Sequence, residues 1–292
     1  MDSALSTVGL PIALGIIMLG LGLDLALADF RRVARHPRAA VVALACQLVL
    51  LPLVCFGLVE LFGLDPLLAI GMMLLAASPG GTTANLFSHL FRGDVALNIS
   101  LTAVNSVLAI GTLPLITNLA IDHFGRDDSV TMPIGEVVQV FALILVPVAI
   151  GMAVRASRPD FAARMERPVR IGSAVILAIL VLGILLDQRE DVGGYLADVG
   201  VVAALFCVIS LAVGYVVPRA VGVRERQAIA SSMEIGVHNG TLAIYVAVEV
   251  LDSTAISVPA AVYSVLMFPL ATIWGWAVSR RVTAEAAAPE PV

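Results

Sequence analysis

The sequence contains no lysine and few charged or aromatic residues. Of its 292 residues, 13% are charged and 5% are aromatic, and all 17 lysine-or-arginine positions hold arginine. Soluble domains carry about 25% charged residues, so this composition excludes an ordinary soluble domain. Hydrophobic residues make up 60% of the chain, and the mean hydropathy is +1.00. We therefore expect a polytopic membrane protein surrounded by the lipid bilayer, with no nucleic-acid partner.

Cysteine is scarce as well. The three cysteines, Cys46, Cys55 and Cys207, lie inside apolar stretches, and their spacing fits neither a disulfide pair nor a metal site. Such cysteines are expected to be buried packing residues.

Long apolar runs, in contrast, fill most of the chain. Nine of them can cross the hydrocarbon layer, which takes roughly 20 residues of helix. Their predicted limits are 5–28, 39–61, 66–90, 95–121, 133–154, 169–187, 196–217, 227–250 and 256–279. The first run leads into Asp29-Phe30-Arg31-Arg32, a stop-transfer pattern, so no cleavable signal is expected. Residues 283–292 are predicted to be a disordered cytoplasmic tail.

The arginines predict how the chain lies in the membrane. All but Arg126 and Arg189 follow the odd-numbered spans. Because arginine-rich loops stay in the cytoplasm, the N-terminus is predicted to lie outside and the C-terminus inside. A lysine-free chain rich in alanine, valine and arginine is typical of a high-GC bacterium. The expected location is therefore the bacterial inner (plasma) membrane.

Two of the apolar runs are interrupted by polar segments that contain glycine. These segments read Ser78-Pro79-Gly80-Gly81-Thr82-Thr83-Ala84-Asn85 and Met233-Glu234-Ile235-Gly236-Val237-His238-Asn239-Gly240. Proline lacks an amide donor and glycine permits non-helical dihedral angles. Helix breaks are therefore predicted at Pro79, Gly80, Gly81 and Gly236. At membrane depth, unwound backbone is tolerated only where it is buried in protein or lines a cavity.

The two breaks fall in spans that cross the membrane in opposite directions. This layout predicts one transmembrane transporter domain, 1–282, built from inverted repeats of about 1–123 and about 131–282, the first lacking one helix. In alternating-access transporters such repeats meet at discontinuous helices. The predicted fold class is an all-α polytopic membrane protein, an inverted-repeat transporter with two crossing discontinuous helices.

Glu234 is the most informative residue in the breaks. A carboxylate in the middle of a span costs on the order of several kcal/mol unless it is paired or bound to a ligand. Carbonyl groups freed by the breaks suit a small cation, and the restarted half-helices direct positive dipole ends toward an anion. Structural roles stay open: an internal ion pair for Glu234, a packing kink at Pro79, and a neutral hydrogen-bonded role for His238.

The neighbouring spans add further polar residues. Asn98, Thr102 and Asn105 share one helical face, and Gln47 is a lone polar residue in the second span. Polar contacts between membrane helices are the alternative explanation for all four.

In their order and spacing, these motifs resemble the bile acid:sodium symporter family. The resemblance extends from the first span to Trp276. It rests on Pro79-Gly80-Gly81-Thr82 with Asn85, on Arg92-Gly93-Asp94-Val95-Ala96-Leu97 leading to Thr102, and on Glu234-Ile235-Gly236-Val237 with Asn239. It implies a core domain in which the broken helices cross and a smaller panel domain that moves against it. The chain is similar to nine-span variants that lack the first helix.

The resemblance also implies where ions and substrate bind. The first sodium site would use Asn85, Asn98, Thr102 and Glu234 with a backbone carbonyl near Ala84. The second would use Gln47, Glu234, His238 and carbonyls near Ile235 and Val237. The substrate would lie by the restarted helices, near Gly81, Thr82, Asn239 and Gly240.

Several positions depart from the family pattern. Ala84 and Asn98 stand where the family has serine, and Asn98 keeps an oxygen ligand. His238 replaces a glutamine of the second sodium site. Because an imidazole nitrogen is a poor sodium ligand, one sodium site is expected and the second is doubtful. Met267-Phe268 stands at a His-Asn pair of the family, which predicts an altered substrate pocket.

Together these features predict a secondary active transporter, not an enzyme, that imports a small organic anion with sodium. A bile-acid-like molecule or another carboxylate is the expected substrate. The alternative is a proton-coupled, exchange or efflux carrier of an organic anion with the same fold, since histidine can take up a proton near neutral pH. An intramembrane hydrolase and a passive channel are two further classes, but the sequence has no nucleophile-elbow or His-x-x-Glu-His pattern.

Overall fold

The computed structural model describes residues 10–24, 37–125, 134–165 and 192–285, with the single positions 26, 28, 168, 169, 171, 172, 175, 179 and 182. Its elements are α1 (Leu10–Asp24), α2 (Pro37–Ala45), the π-helical turn π1 (Cys46–Leu50), α3 (Leu51–Phe62), α4 (Pro66–Ala77), α5 (Thr82–Leu90), α6 (Val95–Phe124), α7 (Ile134–Ser157), α8 (Val192–Ala220), α9 (Glu225–Gly236), α10 (Gly240–Tyr245), the π-helical turn π2 (Val246–Val250) and α11 (Thr254–Glu285).

Four described helical segments are long and apolar enough to cross a membrane. They are Pro37–Phe62, Val95–Phe124, Val199–Ala220 and Thr254–Arg280, and each matches a predicted span. The shorter apolar helices Pro66–Ala77, Leu145–Ser157 and Gly240–Val250 fall in the third, fifth and eighth predicted spans. These helices confirm an all-α polytopic membrane protein. Most of the sixth predicted span, 169–187, lies outside the described residues.

Local sequence signals explain where the helices begin. Asp65 precedes α4, and its Oδ1 accepts a hydrogen bond from the Leu67 N–H at 3.1 Å. Asp94 precedes α6 and accepts one from the Leu97 N–H at 3.0 Å. Each aspartate therefore satisfies an amide that the first turn of its helix leaves free. At the other end of the chain, α11 continues to Glu285, into the segment predicted to be a disordered tail.

α1 packs closely on α7. A side chain at Gly22 would overlap the backbone of Val148, and one at Gly151 would overlap the backbone of α1. Arg155 Nη1 donates a hydrogen bond to the Leu23 carbonyl oxygen at 2.7 Å, which satisfies one of the free carbonyls at the end of α1.

The two helices that lead into the breaks lie inside the protein. Every residue of α4 from Leu68 to Ala77 is buried, and so is every residue of α9 from Ala228 to Gly236. A helix that is buried on all sides has protein neighbours all round rather than lipid on one face. Both breaks therefore lie in the interior, as unwound backbone at membrane depth requires.

Candidate functional site

The two helix breaks cross and pair with each other through an antiparallel bridge. One break lies between α4 and α5, and the other between α9 and α10. The Gly81 N–H donates to the Val237 carbonyl at 2.9 Å, and the Asn239 N–H donates to the Pro79 carbonyl at 2.8 Å. Each break thus satisfies backbone groups of the other at a depth where water does not. The first break contains Pro79, Gly80 and Gly81, as predicted, whereas Gly236 is the last residue of α9 and the second break begins at Val237.

Gly80 lies against the carboxylate of Glu234. A Cβ atom at position 80 would overlap both carboxylate oxygens and their carbon. Glycine is therefore needed here for the close approach of backbone to side chain, in addition to its freedom in an unwound segment. The sequence suggested only the second of these reasons.

The Glu234 carboxylate is buried without a counter-charge. The residue is 2% exposed, and Oε2 accepts a hydrogen bond from Thr102 Oγ1. The Asn105 amide and the Gly80 N–H also face this carboxylate. Its Oε1, however, accepts no hydrogen bond of ordinary geometry from the described residues. A buried carboxylate with a free oxygen requires a cation or a proton, because burial of an unpaired charge is costly.

Three amide oxygens near the crossing are in the same condition. Asn85, Asn98 and Gln47 are 7%, 0% and 3% exposed. Within the described residues, Asn85 Oδ1, Asn98 Oδ1 and Gln47 Oε1 have no hydrogen-bond partner. Together with Glu234 Oε1, the site therefore has four oxygens without a partner. Because about nine in ten buried polar groups are hydrogen-bonded, these four oxygens indicate a ligand such as water or an ion. Hard alkali cations prefer carboxylate and carbonyl oxygens.

The amide of Asn98 is held by the helix that carries Glu234. Asn98 Nδ2 donates to the Ala230 carbonyl at 2.7 Å, which leaves Oδ1 as the free atom of the amide. Thr102 lies one turn further along α6, and its Oγ1 is 3.1 Å from the Asn98 carbonyl oxygen. On the facing helix, Ala84 is fully buried in the first turn of α5. The residues predicted for the first sodium site therefore lie on α5, α6 and α9, which pack together.

Two of the side chains predicted for the second sodium site, Gln47 and His238, meet at the Ser78 carbonyl. Gln47 Nε2 donates to this oxygen at 3.0 Å, and His238 Nδ1 lies 3.2 Å from it. Because a carbonyl only accepts, His238 carries its proton on Nδ1 when it makes this bond. Of the predicted backbone ligands, the Val237 carbonyl already accepts the Gly81 N–H, and Ile235 lies buried in the last turn of α9.

Aromatic rings hold the imidazole of His238 in place. Phe206 stacks on it, with ring centroids 5.6 Å apart and planes 20° apart. Tyr263 approaches edge-on at 5.4 Å, and its hydroxyl donates to the Gly236 carbonyl at 2.9 Å. His238 Nε2 has no partner among the described residues. The ring is therefore clamped between α8 and α11, with one nitrogen bonded to the first break.

The residues predicted to hold the substrate lie where the helices restart. Thr82 is the first residue of α5 and Gly81 precedes it, while Gly240 begins α10. The side-chain oxygen of Asn239 accepts the Leu242 N–H at 3.1 Å, so this side chain caps α10. Substrate recognition by Asn239 would require the side chain to leave that bond.

The positions that depart from the family's His-Asn pair form an apolar contact. Met267 is 1% exposed, and Phe268 stacks on Phe87 of α5 with ring centroids 6.1 Å apart. In this chain apolar packing between α11 and α5 therefore takes the place of two polar side chains.

Sequence reasoning left three groups out of the site. Asn105 was placed on the correct face of α6 but not beside Glu234, because one-dimensional spacing does not give the distance to another helix. Nothing in the sequence singled out the Ser78 carbonyl, which accepts from two side chains. Tyr263 lies in an apolar run. The one signal that could have identified it is its hydroxyl, because a buried tyrosine hydroxyl usually has a hydrogen-bond partner.

Comparison with known proteins identifies the family. The model of the "Sodium Bile acid symporter family" matches residues 11–194, which include the first break and all of α6. The chain belongs to the sodium bile acid symporter family. This family assignment agrees with the resemblance read from the motifs.

Individual relatives extend the similarity over nearly the whole chain. The "Uncharacterized sodium-dependent transporter YocS" of Bacillus subtilis (strain 168) is 27% identical over 92% of this chain and 84% of its own length. The "Probable sodium/metabolite cotransporter BASS1, chloroplastic" of Arabidopsis thaliana is 27% identical over 90% of this chain, which spans 66% of that protein. The "Ileal sodium/bile acid cotransporter" of Homo sapiens is 27% identical over 82% of this chain and 68% of its own length.

Proposed function

We propose that this protein is a secondary active transporter that couples the entry of one sodium ion to the uptake of a small organic anion. The observation that carries the proposal is the Glu234 carboxylate, buried at the crossing of two broken helices with Oε1 unbonded among the described residues. Sodium-dependent and sodium cotransporting relatives support the choice of ion. The supporting features point to transport rather than to catalysis.

The proposed sodium ligands are the free oxygens of Asn85, Asn98 and Glu234, with the Thr102 hydroxyl and the Ala84 carbonyl completing the set. These side chains come from three helices, α5, α6 and α9. A cation that binds them draws the helices together and compensates the buried carboxylate at the same time. The free oxygens of the side chains favour this reading over simple polar packing between helices.

A second sodium ion is not expected, because His238 uses the second site for its own hydrogen bond. Its Nδ1 proton is directed at the Ser78 carbonyl, which also accepts from Gln47 Nε2. With Nδ1 engaged in this way, the imidazole can offer a cation only Nε2. The remaining imidazole nitrogen is a softer ligand than sodium prefers.

Coupling to one sodium sets a limit on accumulation. A tenfold sodium gradient supplies about 1.4 kcal/mol per ion, which supports roughly tenfold accumulation of a monovalent anion. One sodium with one such anion moves no net charge, so the membrane potential contributes nothing. A second sodium would add the same amount again, plus about 2.3 kcal/mol per 100 mV, and would raise the limit to several thousand-fold.

The proposed anion site lies at the start of α5, near Gly81 and Thr82. The amide groups and dipole of a helix N-terminus favour a carboxylate. An anion there would lie next to the sodium site, so each ion would stabilise the binding of the other. Phe87, also on α5, stacks on Phe268 of α11. These apolar rings favour an anion with an apolar body.

Proteoliposomes test the proposal. Uptake of radiolabelled cholate and benzoate is measured with an inward sodium gradient, with choline in place of sodium, and with a pH gradient alone. We expect uptake only with sodium, independent of an imposed potential, and abolished by Glu234→Gln but not by Glu249→Gln. Equal uptake in choline would contradict sodium coupling. Uptake driven by the pH gradient alone would support the proton-coupled alternative.

A further inference from the structure

Two buried serines differ from several other helical serines of this protein, because their hydroxyls make no hydrogen bond within the described residues. Ser100, Ser106 and Ser264 each donate their hydroxyl to the carbonyl one turn earlier, at 2.7 Å. Ser88 and Ser231 are 0% and 1% exposed, and their Oγ atoms have no partner among the described residues. A helical serine ordinarily satisfies itself by bonding back to the preceding turn. Within the described residues, these two hydroxyls do not make that bond.

Both serines lie one turn from the proposed sodium ligands, on the same side of them. Ser88 follows Asn85 by three residues on α5, and Ser231 precedes Glu234 by three residues on α9. Residues three apart share a helical face. Asn98, with its free Oδ1, precedes Thr102 by one turn on α6 and so completes the arrangement. On α5 and α9 a free hydroxyl thus lies one turn from a proposed ligand, toward the loops predicted to be cytoplasmic, and on α6 the proposed ligand Asn98 lies on that side of Thr102.

The side chains of Asn98 and Ser88 both come near the backbone of Ala230. Asn98 Nδ2 donates to the Ala230 carbonyl at 2.7 Å. A Cβ atom placed on Gly93 would lie 2.5 Å from Ser88 Oγ and 3.2 Å from the Ala230 nitrogen. Ser88 and Ala230 therefore border the same point beside the Gly93 backbone. Asn98, Ser88 and Ala230 are therefore neighbours, and Ser231 follows Ala230 directly on α9.

The short loop between α5 and α6 lies at the end of these side chains that is predicted to be cytoplasmic. The Asp94 N–H donates to the Arg226 carbonyl at 2.8 Å, and Arg226 Nε donates to the Arg92 carbonyl at 3.2 Å. These bonds hold the α5–α6 loop against the first turn of α9. From Glu234 to Arg226 the helix rises about 12 Å, so two or three waters in line would bridge the distance.

We propose that these side chains line a hydrated path inside the helix crossing, by which sodium passes between the Glu234 site and the cytoplasmic side. The path is formed by α5, α6 and α9, with Ser88 and Ser231 between the proposed ligands and the loop. This inference rests on the proposed function. A dry, unbonded hydroxyl destabilises the protein, and water in the path removes that cost. In the described part of the chain, two other buried hydroxyls without an ordinary hydrogen bond lie elsewhere, Ser210 near Tyr263 and Thr117 in the far half of α6.

Cysteine accessibility tests the path. Ser88→Cys and Ser231→Cys are treated with 2-aminoethyl methanethiosulfonate, a small cationic thiol reagent, in purified full-length protein. The matched control is Ala103→Cys, which is buried on α6 at 1% exposure, and the parent with its three buried cysteines sets the background. We expect both serine variants to react at least tenfold faster than the control, and at least fivefold more slowly in saturating sodium than in choline. Reaction at the control rate, or a rate indifferent to sodium, would overturn the path.

A double variant tests it without cysteine. In Ser88→Ala/Ser231→Ala we expect release of ²²Na⁺ from loaded protein to slow at least fivefold. The sodium concentration that half-stabilises the protein against heat should stay within twofold of the parent. Unchanged release would overturn the path. If sodium does not stabilise the parent protein against heat, the proposed function fails. If sodium stabilises the parent but the double variant releases ²²Na⁺ at the parent rate, only the path fails.

Discussion

A single methyl group at position 80 should weaken sodium binding without unfolding the protein. The Cβ of Gly80→Ala would overlap the Glu234 carboxylate. The backbone cannot retreat, because hydrogen bonds of 2.9 and 2.8 Å pin the two breaks together on either side of this residue. The carboxylate must therefore turn away. Overpacking of this kind costs about 1–3 kcal/mol, and a cost of that size in the sodium-bound state corresponds to roughly 5–150-fold weaker binding.

Sodium-dependent thermal stabilisation measures this effect. Purified protein is heated in rising concentrations of sodium chloride, with choline chloride holding ionic strength constant. Gly57→Ala and Gly111→Ala are the controls, since a Cβ at either position meets nothing within 4 Å. We expect the midpoint sodium concentration to rise for Gly80→Ala alone. A midpoint equal to that of the controls would refute a sodium site at this carboxylate.

Three further substitutions separate the roles of the surrounding groups. His238→Gln restores an amide oxygen, so the Hill coefficient of sodium-dependent stabilisation should rise from one toward two; a coefficient that stays at one contradicts the reading of His238. Tyr263→Phe leaves the Gly236 carbonyl with only the weak Cys207 thiol as side-chain donor and should cost about 1 kcal/mol of stability, seen as a melting temperature lower by about 2 °C. Thr102→Val removes the donor to Glu234 and should weaken sodium binding roughly tenfold, while Thr102→Ser should not.

Much of the architecture was predictable from the sequence because the bilayer imposes length and polarity. The predicted span 95–121 corresponds to α6, Val95–Phe124, and the predicted span 66–90 contains α4 and α5 on either side of the first break. Proline and glycine gave the position of that break, since neither supports a helix there. The inverted repeats and the cytoplasmic side of the arginines stay predictions.

The contacts at the site could not be predicted, because they join residues far apart in the sequence. The pairing of Gly81 with Val237 depends on how two helices cross, which periodicity does not report. The same holds for Asn98, whose nitrogen bonds Ala230 and so frees its oxygen. The sequence showed that Glu234 needed a partner, and only the packed structure shows which oxygens surround it.

His238 illustrates a third limit. Comparison with the family pattern indicated that it would weaken the second sodium site. In the structure its Nδ1 lies 3.2 Å from the Ser78 carbonyl oxygen and its ring stacks on Phe206, and the loss of the second site stays a prediction. Such an arrangement depends on tautomer and ring orientation, and neither is encoded in spacing along the chain.

Equilibrium binding of ²²Na⁺ to the purified protein gives the most direct test of the site. The proposal predicts one saturable sodium ion per chain, displaced by unlabelled sodium and not by choline. It also predicts no saturable binding to Glu234→Gln and normal binding to Glu249→Gln. Two ions bound per chain would contradict the assignment of His238, and undiminished binding to Glu234→Gln would contradict the site itself.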